Sequence, residues 1–144
     1  MVYIQGPSVI LPDASYYKEE MKAHDELKDS ITIQVVIFPQ NSLFSYTEDG
    51  KSGRDLVEQS LQLGADCVVD ISHNEWCAED GNQSIKEIVH LTVKYDKLIG
   101  VHCDETDDDQ VCFLEILSAE SMKQCYGKST TASHISSFGS ANDA

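Results

Sequence analysis

With 144 residues, the chain has the length of one domain and enough material to bury a core of its own. Its 41% hydrophobic and 24% charged residues fit an ordinary globular protein and exclude a fibrous or disordered one. A formal net charge of -15 argues against binding along a phosphate backbone, so nucleic acid polymer is not an expected partner.

The first fifteen residues show no clear period and form an uncertain N-terminal segment, 1–15, ahead of one domain over 16–144. Residues from about Tyr16 to Lys28 predict a leading helix. The run Ile31 to Phe38, rich in β-branched residues and stopped by Pro39, predicts a buried strand. After a loop carrying Asp49-Gly50, the stretch Arg54 to Leu63 sets Leu56, Ser60 and Leu63 on one face of a short helix that Gly64 stops. Cys67 to Ile71 reads as a second strand, and Ile85, Ile88, Val89 and Thr92 recur at helical intervals. Lys97 to His102 makes a third strand. Phe113, Leu114, Leu117 and Met122 line a further helix closed by Gly127, and Thr130 to His134 is a short fourth strand.

Cys67, Cys77, Cys103, Cys112 and Cys125 form an odd, widely spaced set without a CxxC pair, which predicts reduced thiols rather than a disulfide framework or a zinc ribbon. No apolar run approaches the about 18 residues of a membrane span. The opening MVYIQGPSVILPDAS lacks the basic region of a secretory leader, so a cytoplasmic protein without a membrane partner is expected.

Strands alternating with helices predict an α/β fold around a parallel sheet. Four strands fit either a doubly wound sheet or part of a (β/α)8 TIM barrel. A whole barrel needs about 250 residues, so at most a part is present. In both folds chemistry collects beyond the carboxyl ends of the strands. Gln40, His73, His102 with Glu105, and His134 occupy those positions, one per strand.

A strand-end histidine can ligate a metal, and a glutamate three residues on can reach an attacking water, which makes His102-Cys103-Asp104-Glu105 the foremost cluster. The competing reading is a solvated acidic loop from Asp104 to Asp109. His134 can orient a water or only complete a local hydrogen bond. Gln40 offers a donor and an acceptor to an amide-like ring edge. His73 and Glu75 lie at a similar strand end, where a rim loop with a packed Trp76 explains them as well. His24 and His90 fall on predicted helices, as surface or packing residues.

The segments Val36-Ile37-Phe38-Pro39-Gln40, Leu63-Gly64-Ala65-Asp66, Lys94 to Ile99, Val101 to Asp108 and Thr131-Ala132-Ser133-His134 resemble the bacterial-type cytosine deaminase family of the amidohydrolase superfamily, in that family's order and at nearly its spacing. The resemblance implies about strands 3 to 6 of a TIM barrel with their helices, and one divalent metal, iron or zinc. It implies His102 as a metal ligand and Glu105 as the shuttle that carries a proton from the attacking water to the ring nitrogen and the leaving ammonia. His134 would steady that water and the developing charge, and Gln40 would read the pyrimidine's carbonyl and ring-nitrogen edge. The implied partner is a small pyrimidine, converted from cytosine to uracil and ammonia.

The departures are specific. The family's HxH ligand pair does not occur, and no strand-end aspartate of an eighth strand follows His134. The family's Gly-Ile-Pro-His is here Asp70-Ile71-Ser72-His73. A fragment with one certain ligand is expected to bind metal weakly and to be inactive alone. Its outer strands, those ending at Gln40 and His134, are expected to be unpaired and to invite self-association. The alternatives are a non-catalytic remnant or interaction protein of the same fold, and an amidohydrolase for another cyclic amidine or a triazine.

Overall fold

The computed structural model describes residues 2–5, 15–39, 41–46, 50–106 and 112–135. Five strands, β1 (Val2–Gln5), β2 (Ile33–Ile37), β3 (Cys67–Asp70), β4 (Leu98–His102) and β5 (Thr130–Ser133), alternate with four helices, α1 (Ser15–Leu27), α2 (Gly53–Gln62), α3 (Ala78–Tyr95) and α4 (Phe113–Lys123). The strands form one sheet in the order β1-β2-β3-β4-β5, parallel throughout, with Val2 opposite Ile33, Val36 opposite Cys67, Val68 opposite Ile99 and His102 opposite Ser133.

Sequential order separates the two architectures left open by the sequence. A doubly wound sheet reverses its strand order partway, whereas a barrel adds each strand beside the last. One contiguous core joins Val35 and Ile37 of β2, Val68 of β3, and Ile99 and Val101 of β4 to α2, α3 and α4, so these three helices cover one face. The fold is part of a (β/α)8 barrel. The opposite face, with Val36, Val69, Leu98, His102 and Ser133, lines an open trough of about 330 Å³.

Local chemistry sets the element ends. Ser52 and Asp55 form a reciprocal capping box at the start of α2, the Asp55 amide reaching Ser52 Oγ at 3.1 Å. Gly64 takes φ +111°, the left-handed region that a glycine stop supplies. Asp66 then ties two strands: its carboxylate accepts from the Val35 amide at 2.9 Å and its carbonyl from the Leu98 amide at 3.0 Å.

Several expectations need correction. The segment 1–15 contains a strand, β1, and a helix start at Ser15. The strand leading to Gln40 is therefore paired on both sides, and the edges are β1 and β5. Leu63 is 43% exposed and Met122 76%, because each points off the buried face of its helix, which carries Leu56, Val57, Ser60 and Leu61 in α2 and Phe113, Leu117 and Ser121 in α4. Gly127 opens a 3-10 turn rather than closing α4, which ends at Lys123 and turns at Cys125 with φ +56°. The five cysteines form no disulfide. Among the described residues, no helix is long and apolar enough to cross a membrane.

An ionic network joins α2 to α3. Arg54 bonds Glu58 and, at 2.7 Å, Glu87, while Lys94 Nζ lies 2.6 Å from Glu58 Oε1 and the Tyr95 hydroxyl donates to the same oxygen at 3.1 Å. The Lys94 hydrogen bond foremost, with Arg54 and Tyr95, holds the Glu58 carboxyl at about 2 against an ordinary 4.5. A carboxyl lowered by folding adds stability above its ordinary range and loses it as pH falls through its folded value. Stability is therefore expected to decline between about pH 4.5 and 2, and Glu58→Gln to flatten that part of the profile in urea titrations at stepped pH. An unchanged slope in the variant would show the network to be thermodynamically idle.

Candidate active site

The site is assembled at the carboxyl ends of β4 and β5. Their ladder runs one step past the strands, the Cys103 amide donating to the Ser133 carbonyl at 3.0 Å, and this sets His102 beside His134. The two imidazoles stack with centroids 4.4 Å apart and planes 17° from parallel. Beyond β4 the backbone turns at Asp104, φ +52°, a left-handed position that aspartate tolerates better than most residues. The Asp104 carboxylate accepts from the amides of Phe113 at 2.8 Å and Leu114 at 3.3 Å, capping the start of α4.

With its neighbour so anchored, Glu105 reaches back over both rings. One carboxylate oxygen lies 3.6 Å from His102 Nδ1 and the other 3.5 Å from His134 Nδ1. The glutamate and His134 are exposed at the mouth, and His102 is half-buried. Burial, then the neighbouring charge of His134, pushes the His102 imidazole toward its neutral form, against the opposing pull of Glu105. A neutral imidazole is the form that ligates metal.

His102, Glu105 and His134 are thus brought together as the sequence suggested. Gln40 lies outside the described residues. Phe38, two residues before it, was legible only as a strand residue, yet its ring stacks on His102 at 5.4 Å and 25°. Asp104 was assigned to a solvated acidic run but is only 5% exposed. An aspartate ahead of the helical period beginning at Phe113 was the available sign of a cap.

The strand end of β3 differs. Asp70, 2% exposed, accepts from the hydroxyls of Ser72 at 2.8 Å and Ser84 at 3.0 Å, and burial pushes its carboxyl up. Glu75 accepts from the Leu43 amide at 2.6 Å and from Ser42 Oγ, tying the loop after β3 to the loop after β2. Its carboxylate is engaged in that tie, away from the trio. Trp76 is not packed as expected but 83% exposed. His73 is half-buried, and its Nδ1 is enclosed without a hydrogen-bond partner among the described residues.

Donor atoms of His102, Glu105 and His134 all lie within 4.8 Å of one another, and two nitrogens with a carboxylate suit zinc or iron. An imidazole donates in its own plane, however. Two rings this close to parallel direct their lone pairs alongside one another rather than to a common point, so only one of them can coordinate. The arrangement fits one side of a metal site, with one imidazole as a ligand and the other stacked beside it.

No family model matches the chain. It is 31% identical over 123 residues to the N-isopropylammelide isopropyl amidohydrolase of Pseudomonas sp. strain ADP, covering 84% of this chain and 29% of that protein. The 5-methylcytosine deaminase of Klebsiella pneumoniae, solved with phosphonocytosine, superposes with a TM-score of 0.82 at 32% identity, over 99% of this chain and 33% of that one. The N-isopropylammelide isopropylaminohydrolase of Burkholderia multivorans superposes with a TM-score of 0.71 at 16% identity, which speaks to the fold. The chain therefore spans about a third of the length of these relatives. The likeness to amidohydrolases is thus found in the curated relative, and the likeness to a cytosine-type deaminase in the solved structures.

Proposed function

We propose that the chain is the section of a metal-dependent deaminase that carries its proton-transfer groups, and that the substrate is a cyclic amidine, cytosine foremost. The observation that carries this reading is one carboxylate set between two histidines at adjacent strand ends, 3.6 and 3.5 Å from their Nδ1 atoms. A divalent metal, iron or zinc, would be held on this side by His102 and would supply an activated water near neutral pH.

Glu105, open to the mouth, carries one proton from the attacking water to the ring nitrogen and then the second, from the hydroxyl so formed, to the amino group, which departs as ammonia while the carbonyl forms. His134 lies against the same carboxylate and steadies the water's oxygen as charge develops. His102, kept neutral by burial, offers its lone pair instead of a proton. The face of Phe38 stacked on His102 closes the floor. Likeness to the Klebsiella deaminase supports cytosine or its 5-methyl derivative. Likeness to the Pseudomonas amidohydrolase supports another cyclic amidine as the second reading.

With only one ring able to coordinate, the isolated chain is expected to bind no stoichiometric metal and to release no ammonia from cytosine. The decisive experiment places this chain in the Klebsiella deaminase in exchange for the matching third. Metal-dependent ammonia release from cytosine, 5-methylcytosine or N-isopropylammelide is the expected result. A folded, metal-loaded hybrid that releases none from any of them would favour a non-catalytic remnant.

A further inference from the structure

His73 stands in the 3-10 turn Ser72–Asn74 after β3, between the strand that leads to Gln40 and the strand that bears His102. Buried polar atoms without partners are rare, and each asks for an explanation. Among the described residues the orphan is His73 Nδ1, while the residue as a whole is half-buried. A buried N–H left unpaired is rarer in proteins than a bare acceptor, because its desolvation is uncompensated. The proton of the neutral ring therefore belongs on Nε2, with Nδ1 left as a lone pair. Nε2–H is then the atom through which this ring can serve a neighbour.

Its surroundings indicate which neighbour. Strand β3 lies directly beside β4, with Asp70 opposite Val101, so the turn that carries His73 stands at the strand end next to the one that presents His102. His73 nevertheless stands outside the cluster of donor atoms that converge within 4.8 Å. A group beside the reacting centre but not in it meets the far edge of a bound ring rather than the carbon under attack. The Asp70 carboxylate, fixed by Ser72 and Ser84, holds the turn in place from behind.

We propose that His73 is a substrate-binding residue, donating from Nε2–H to an acceptor, a carbonyl oxygen or ring nitrogen, on a cyclic amidine held against His102, Glu105 and His134. This rests on the deaminase reading above and adds to it a requirement: the substrate presents an acceptor on the side facing β3. An amidine with only donors or alkyl groups there would be discriminated against.

The zinc-loaded Klebsiella hybrid, labelled with 15N at its histidines, permits a direct test by ring-nitrogen correlation spectra during titration with phosphonocytosine. Signals are assigned by single His→Gln variants. The expected result is a proton on Nε2 of His73 in the free hybrid and a shift of that nitrogen on titration, together with His102 and His134. His73→Phe should weaken phosphonocytosine binding about tenfold, the loss of one hydrogen bond, with unchanged circular dichroism. His73→Gln, which keeps a donor, should recover most of it. A proton on Nδ1, or a stationary His73 while His102 and His134 move, would overturn the inference and leave the deaminase reading standing. If none of the three moves at saturating phosphonocytosine, both fall.

Discussion

Glu105→Gln, made in the Klebsiella hybrid, is expected to lower kcat by about 100-fold to 10,000-fold, the usual worth of a positioned acid–base group. The substitution is nearly isosteric and keeps an oxygen to face His102 and His134, so bound metal and KM should stay close to those of the parent hybrid. What it removes is the ability to take up a proton and give it back. Both steps are asked of the same carboxylate, so no second group among the described residues compensates: the two histidines flank it, and Glu75 is committed to Ser42 and Leu43. Steady-state ammonia release with a metal assay on the same sample decides the matter. A variant keeping a tenth or more of the parent rate would remove Glu105 from the role assigned to it.

The second large effect concerns stability. Ile88→Ala is expected to cost about 2–5 kcal/mol, from lost transfer energy and the cavity left behind. Ile88 is fully buried on α3, which packs against β3, β4, α2, α4 and the turn bearing His73. Few neighbours can relax into the space, since Ile85, Leu91, Val68 and Val101 around this core are themselves 0% exposed. Against a typical domain stability of about 5–15 kcal/mol, the urea midpoint should fall steeply. A change below about 1 kcal/mol would mean that α3 is not the hub it is taken to be.

Much of the architecture was legible because a parallel strand is covered on both faces and reads as an apolar run. Cys67-Val68-Val69 and Leu98-Ile99 announced themselves in this way. β1 did not, since Val2–Gln5 is four residues long and owes its strand to pairing with Ile33–Val36, a long-range contact with no local signature. Leu63 and Met122 were misplaced for a simpler reason: apolar character was taken to mark the buried face, whereas the buried file runs through the small polar residues Ser60 and Ser121. At the site, His102, Glu105 and His134 were readable from the rule that strand ends converge. The roles of Phe38 and Asp104 were not, because an aromatic in a strand and an aspartate in an acidic run each have a commoner explanation, and only the fold selects the rarer one.

The file of rings Phe38, His102 and His134 has a spectroscopic consequence. Circulating π electrons of each ring shield nuclei above its face, so the carbon-bound protons of the His102 imidazole should resonate upfield of those of solvent-facing His90. Because Phe38 rides just beyond β2 and His134 just beyond β5, that displacement is a built-in gauge of how tightly the sheet curls at its upper rim. Anything that flattens the curl would return the resonance toward its random-coil position.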